Sequence, residues 1–290
     1  MSGRPVARRG RPPVPTRRTR SIRRASGSLT TVRAGAALAM LASAAAIYGV
    51  SASSAFDYTQ LVVAGTRYTD QAAVEAAIAD VRGQNLFGLA TRPLQVSLES
   101  LTTVAAARVD VRLPSTLAVT LDERVPVLIW QVGARRYLAD RGGTLFAMLS
   151  DKTFVGAAAL PVVDDGRAAS AGLSVGLRID PVDVDAATRL ASLVPADVGS
   201  RADSLTVQVS DESGFVLRAK PRGWLAIFGF YTPSLRMTEI IPGQVRLLRS
   251  LLVGREPLIE RVILASETDG TYVARPTPAP GASPKPSKAP

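Results

Sequence analysis

The spacing of hydrophobic positions takes three forms along the chain: an unbroken run, a helical repeat and a strand-like alternation. Residues 34–56 form the unbroken run, with 23 residues and no charged side chain. As a helix this run spans roughly 34 Å, which exceeds the bilayer hydrocarbon core of about 30 Å. We therefore expect a transmembrane helix at 34–56, although its many Ala residues make it only modestly hydrophobic.

The pattern that follows predicts a β-α-α-β-β unit over residues 57–126. A short strand ends at Gly65, Asp70 provides the N-cap of a first helix, and Thr91 is expected to cap a second. The apolar period then changes to two, which is typical of a half-buried β-hairpin. Its inner face is expected to contain Val109, Val111, Leu113, Leu117, Val119 and Leu121.

Two local features connect the elements of this unit. Between the helices lies the segment 83–87, where we expect Asn85 to adopt a left-handed conformation and Phe87 to fill the gap between helix and sheet. At the end of the hairpin, Pro126 cannot donate a ladder hydrogen bond, so strand pairing should stop or shift there.

Residues 127–274 read as a β-rich domain with one or two helices. A turn at 141–143 joins two strands, and a helix is expected after an Asp183 cap. A second helix is predicted over 242–252. The apolar run 224–230 predicts a strand buried on both faces, and 258–265 predicts the last strand.

The net charge of +11 is concentrated at the N-terminus, where residues 1–33 hold ten Arg and no acid. This favours a basic, disordered cytoplasmic tail before the membrane helix. A cleaved signal peptide is the alternative, because 50–52 and 53–55 resemble cleavage sites. The tail has no aromatic residue to stack bases, so nucleic acid is not expected as a partner. Residues 275–290 contain six Pro and predict a second disordered tail.

The composition excludes several kinds of active site. The chain has no Cys and no His, which excludes disulfides, thiolate catalysis and His-dependent triads. Lys152 and Lys220 are the only lysines between residues 57 and 274, and no Ser-x-x-Lys motif occurs. An envelope enzyme with a carboxylate pair stays open, since Asp and Glu are plentiful, but no such constellation stands out in the sequence. We therefore expect no catalytic, cofactor-binding or metal site.

The motifs of residues 57–146 occur in an informative order. They are the 83–87 segment GQNLF, the hairpin 112–117 RLPSTL, the segment 123–126 ERVP, and 137–146 YLADRGGTLF. In this order, directly after one apolar helix, they resemble the POTRA domain and following β domain of the FtsQ/DivIB cell-division family. The expected fold class is therefore α+β, with one N-terminal transmembrane helix.

The resemblance implies a non-enzymatic division scaffold that crosses the cell membrane once and lies at the septum. Its N-terminus would be cytoplasmic and its C-terminus extracytoplasmic. It would bind FtsB-like and FtsL-like membrane partners, help to regulate septal peptidoglycan synthesis, and bind no small-molecule substrate. Two other classes remain open, an envelope β protein of different purpose and a transport-type POTRA protein.

The resemblance also suggests where a partner binds. In the strand 258–265, Arg261 and Ile263 alternate with Val262 and Leu264, so one pair can face the core and the other a partner. We expect a partner segment to pair with this strand, with Arg261, Ile263 and Glu267 on or near the contact.

Overall fold

The computed structural model describes residues 31–149, 159–234 and 236–276. Residues 1–30 and 277–290, which contain most of the two predicted tails, lie outside this range. The chain divides into two compact units, 1–53 and 54–290.

The described part of the first unit contains one helix, α1, at Thr31–Ser51. It begins three residues before the predicted span and ends five residues before its predicted end. Its length and composition would allow it to cross a membrane, and it is the one helix among the described residues that meets this condition. The N-terminal apolar helix is therefore consistent with a membrane anchor.

The second unit begins with the predicted β-α-α-β-β arrangement, which we call the POTRA-like module. Its elements are β1 Gln60–Ala64, α2 Gln71–Ala77, α3 Thr91–Glu99, β2 Val104–Arg112 and β3 Thr116–Glu123. Strand β3 is central, parallel to β1 and antiparallel to β2. As predicted, Asp70 caps α2 by accepting a hydrogen bond from the Ala72 amide at 3.2 Å.

The inner face of the β2–β3 hairpin packs on the two helices. Val109, Leu117 and Val119 are buried in one cluster with Ile78 and Leu98. Leu113 is the exception to the predicted inner face, since it lies beyond the end of β2 in the hairpin turn and is 52% exposed.

Three local predictions for this module are wrong. Ala90 occupies the N-cap position of α3, and Thr91 is the first helical residue. Asn85 has extended backbone, with φ of −70°, because its side chain caps the next turn by accepting from the Phe87 amide at 3.0 Å. Leu86 fills the core in place of Phe87, which is exposed and contacts Phe56.

The β domain is a nine-stranded sheet, counted over the described residues, with order β12-β11-β10-β9-β8-β7-β4-β5-β6. Its strands are β4 Pro126–Val132, β5 Arg135–Asp140, β6 Leu145–Met148, β7 Val162–Asp165, β8 Ser204–Ser210, β9 Gly214–Lys220, β10 Leu225–Gly229, β11 Ile259–Leu264 and β12 Gly270–Ala274. The α+β fold class, with two helices in the β domain, is confirmed.

Helices α4 (Pro181–Ala191) and α5 (Ile241–Leu252) lie on one face of this sheet. They connect the parallel pairs β7–β8 and β10–β11, which need a crossover between strands. The cap of α4 is Asp180, not Asp183, because Pro181 occupies the first helical position. Burial alternates along β10, so this strand is not buried on both faces as predicted.

The segment Glu123–Pro126 joins the POTRA-like module to the β domain. β3 ends at Glu123 and β4 begins at Pro126, with a register shift between Pro126 and Leu128, as expected for a residue without an amide hydrogen. Across this joint, Arg124 Nη1 lies 2.7 Å from Asp140 Oδ2. The rings of Tyr68 and Phe146 pack with centroids 5.9 Å apart.

Candidate partner-binding surface

The face of the sheet opposite α4 and α5 carries a mixed apolar and basic surface, which we call the open face. Residues paired on neighbouring strands point to the same face, so the register assigns its members. One row runs Gln208, Val216, Ile227, Ile263, Thr271, and a second runs Thr206, Arg218, Leu225, Arg261, Val273.

The alternation expected for residues 261–264 is present in β11. Val262 and Leu264 are buried against the helices, whereas Arg261 is exposed and Ile263 is 39% exposed on the open face. The helices account for this pattern, because both α5 and the buried side chains of β11 belong to the main hydrophobic cluster. The two predicted residues are thus brought together on one surface.

The open face contains a shallow depression of about 240 Å³, lined in part by Arg218, Arg261 and Ile227. Arg218 Nε donates to Gln208 Oε1 at 3.3 Å, and Gln208 Nε2 donates to Asp164 Oδ2 at 3.4 Å. Two guanidinium groups therefore flank an apolar strip. This combination suits a peptide segment with apolar and acidic side chains.

The strand predicted to pair with a partner, β11, lies next to an edge of the sheet and not at the edge itself. Strand β11 is paired on both sides, with β10 and β12, so no further strand can join it directly. Among the described strands, β12 pairs only with β11. All of its residues after Gly270 are exposed. The main-chain groups on its outer side can therefore pair with a partner strand.

Glu267 lies apart from the other two predicted residues. It is in the turn between β11 and β12, and its side chain packs against Gly243 in the first turn of α5. A carboxylate at this position interacts favourably with the positive end of the helix dipole. The structure therefore places Glu267 on the helix side of the sheet, whereas Arg261 and Ile263 lie on the open face.

Two buried carboxylates that sequence reasoning missed hold the two Trp residues. Asp165 accepts from Trp130 Nε1 at 3.0 Å, and Glu256 accepts from Trp224 Nε1 at 2.9 Å. A buried indole N–H needs a hydrogen-bond acceptor, so the two Trp residues indicated that acceptors must lie nearby. The sequence alone did not identify which residues those acceptors are.

The protonation of these carboxylates follows from their surroundings. Burial opposes ionisation of Asp165, but hydrogen bonds from Arg167 and Ser170 outweigh it and lower its pKa. Burial raises the pKa of Asp183, which pairs with the same Arg167 at 2.6 Å. These charged groups stabilise the segment after β7, and they face the protein interior and not a ligand site.

The described residues do not form a metal centre, since they contain no group of three or more His, Cys, Asp and Glu side chains. A cleft of about 400 Å³ lies beside Val127 and α4. Its charged lining includes Asp185 and Arg189, which form an exposed ion pair at 2.8 Å. The partner surface described above is therefore the better candidate for function.

Comparison with known proteins adds independent information on the POTRA-like module. Residues 56–124 match the family model described as POTRA domain, FtsQ-type. The Cell division protein FtsQ of Mycobacteroides abscessus is 40% identical over 88 residues, which cover 30% of this chain and 28% of that protein. That of Rickettsia bellii is 26% identical over 97 residues, covering 33% of this chain and 36% of the relative. The matches thus span about a third of each relative's length, and the predicted FtsQ resemblance is confirmed.

Proposed function

Because the chain carries an FtsQ-type POTRA domain and resembles FtsQ cell-division proteins, we propose that it is a non-enzymatic scaffold of the division machinery. The observation that carries this proposal is the order of its parts: one apolar helix followed directly by the FtsQ-type domain. In this role it binds FtsB-like and FtsL-like membrane partners and helps to regulate septal peptidoglycan synthesis.

We propose that α1 crosses the cell membrane once, with the N-terminus in the cytoplasm. The ten Arg before residue 34 and the first acid at Asp57 support this orientation. Protease added to intact spheroplasts should then digest the part of the chain after α1. A soluble product that begins near residue 53 would instead indicate a cleaved signal peptide.

We propose that a partner strand pairs with the outer edge of β12 and that the rest of the partner segment covers the open face. The exposed edge of β12 supports the first part, because main-chain pairing needs an uncovered strand. Arg261 and Ile263 support the second, because they present a positive charge and an apolar side chain next to that edge. Glu267, in the adjoining turn, lies at the margin of this contact.

Charge reversal tests the open face. We expect Arg261→Glu to weaken capture of FtsB-like and FtsL-like ectodomains by the full chain at least tenfold. Arg246→Glu is the matched control, because Arg246 is an exposed residue of α5 on the opposite layer. Equal binding by both variants would place the contact elsewhere.

Proline substitution tests the strand edge. Successive residues of an antiparallel strand direct their N–H groups to opposite sides, so one of Thr271→Pro and Tyr272→Pro removes an outward donor. That variant should lose partner binding while the fold is retained. If the variant that keeps its fold also binds like the wild type, β12 is not the pairing edge.

The cellular role is tested by placing a fluorescent fusion in dividing cells. Recruitment to the septum is expected for a division scaffold. A uniform membrane signal would favour an envelope protein of different purpose.

A further inference from the structure

The POTRA domain carries exposed apolar side chains at the end where the chain enters it. Phe87 is 53% exposed and Leu113 is 52% exposed. The ring of Phe56 packs edge-on against Phe87, with centroids 4.8 Å apart. We call these three residues the entry patch.

Backbone hydrogen bonds place the entry patch at one end of the domain. The Tyr58 amide donates to the Gln84 carbonyl at 2.9 Å. The Thr59 and Gln60 amides both donate to the Ser115 carbonyl, at 3.0 and 3.1 Å. Because residues 58–60 come two to four positions after Phe56, the turn with Phe87 and the hairpin tip with Leu113 flank the point of entry.

Chain length keeps this point near any membrane that α1 crosses. The helix ends at Ser51, and five residues of fully extended chain reach at most roughly 18 Å. The interfacial layer on each side of the hydrocarbon core is itself about 5–8 Å thick. Whatever the arrangement of the two units, Phe56 is therefore tethered within reach of that layer.

We propose that the entry patch inserts into the lipid interface of the membrane that α1 spans, an inference that rests on the membrane anchorage proposed above. Phe and Leu are among the side chains that membrane-surface segments bury at the boundary between headgroups and acyl chains. Arg112 is exposed beside Leu113, so its guanidinium group can extend to anionic headgroups. Asp57, directly after Phe56, is the nearest acidic residue in the chain. The patch then forms a second membrane attachment, which limits how far the ectodomain can tilt away from the membrane.

The natural chain contains no Cys, so single-Cys variants accept one fluorophore each. Full-length Phe87→Cys and Leu113→Cys would be labelled with a polarity-sensitive nitrobenzoxadiazole dye. They would be reconstituted into phosphatidylcholine–phosphatidylglycerol vesicles and quenched with lipids that carry a nitroxide near the headgroup.

Two labelled controls separate this inference from the anchorage itself. Val125→Cys is the matched control, because Val125 is 73% exposed and follows β3, whose opposite end at Thr116 pairs with Gln60. Tyr48→Cys, within α1, reports membrane insertion. Circular dichroism identical to that of the unlabelled chain establishes that each variant is folded.

We expect blue-shifted emission at positions 87 and 113, with lipid quenching severalfold stronger than at position 125. Quenching at position 48, with positions 87 and 113 as water-exposed as 125, would overturn the entry-patch inference and leave the anchor intact. Absence of quenching at position 48 would overturn the anchorage and this inference together. Replacing phosphatidylglycerol by phosphatidylcholine distinguishes the apolar contribution, which should persist, from the charge contribution, which should not.

Discussion

Glu123 explains at the level of one residue why the ERVP segment matters. Its carboxylate accepts hydrogen bonds from three successive amides, those of Arg67, Tyr68 and Thr69, at 2.7 to 3.0 Å. Residues 67–69 come directly before the cap of α2, so one side chain at the end of β3 holds the start of the helical layer. The sequence pattern identified the segment but not this role, because the three donors are more than 50 positions away in the chain.

Replacing Glu123 by Gln should destabilise the POTRA domain by about 1–3 kcal/mol, because an amide oxygen cannot satisfy all three donors as a carboxylate does. Asp122→Asn is the matched control, since the neighbouring Asp122 is exposed and its loss of charge is the same. Chemical unfolding followed by circular dichroism measures both. Equal stability of the two variants would contradict the assigned role of Glu123.

Glu256 predicts a specific dependence of stability on pH. Burial opposes its ionisation, but hydrogen bonds from Ser200, the Arg201 amide and Trp224 outweigh burial and lower its pKa. As the pH falls, the Glu256 carboxylate is therefore protonated in the unfolded chain before it is protonated in the folded protein. The stabilisation is present above the unfolded value of about 4.3 and is lost as pH falls through the lower folded pKa.

Glu256→Gln should thus be destabilised relative to the wild type at pH 7, and the difference should shrink below about pH 4. Trp224 fluorescence reports the transition, because its indole donates to Glu256. Glu260→Gln, at an exposed position of β11, is the control and should leave the pH profile unchanged. A constant difference between wild type and Glu256→Gln from pH 3 to pH 7 would rule out this linkage.

At the level of elements, the periodicity of side chains predicted local secondary structure. It did not predict features that depend on contacts with other parts of the chain. The β-α-α-β-β order and the alternation of β11 follow from side-chain spacing, and both are present in the structure. The cap of α3 and the conformation of Asn85 were wrong, because residue preference alone does not determine backbone angles. A partner strand cannot pair with β11 as predicted, because β12 occupies its outer side, and Thr271–Val273 is too short a pattern to predict that strand.

The hairpin register gives the element-scale prediction. Val119 is 1% exposed in the core of the POTRA domain, whereas Thr120 points outward from the same strand. Val119→Asp should cost about 3 kcal/mol or more, because it buries a charge without a partner. Thr120→Asp should change the free energy of unfolding by less than about 0.5 kcal/mol. Similar losses for both variants would contradict the register.

At the scale of the whole molecule, the FtsQ-type POTRA domain and the β domain meet through a small polar and aromatic joint. Arg124 pairs with Asp140 and also donates from Nε to the Thr102 carbonyl at 3.0 Å. Asp140 in turn accepts from the Thr144 amide at 2.8 Å, which ties the pair to the turn before β6. A partner bound at β12 and a membrane bound at the entry patch would therefore act on two domains that this joint holds together.

A double-mutant cycle on Arg124→Gln and Asp140→Asn measures the strength of the joint. Both side chains are mostly buried, at 22% and 13% exposed, so we expect a coupling free energy of about 1–3 kcal/mol. The pair Arg189–Asp185 is the matched control, because it has a similar separation of 2.8 Å but is 41% and 46% exposed. Its coupling should be no more than about 0.5 kcal/mol, as for other exposed helix pairs.

Breaking the joint should also separate unfolding into two transitions, since the POTRA domain and the β domain have hydrophobic cores of their own. Additive effects of the two substitutions, with a single unfolding transition retained, would show that Arg124 and Asp140 do not couple the domains.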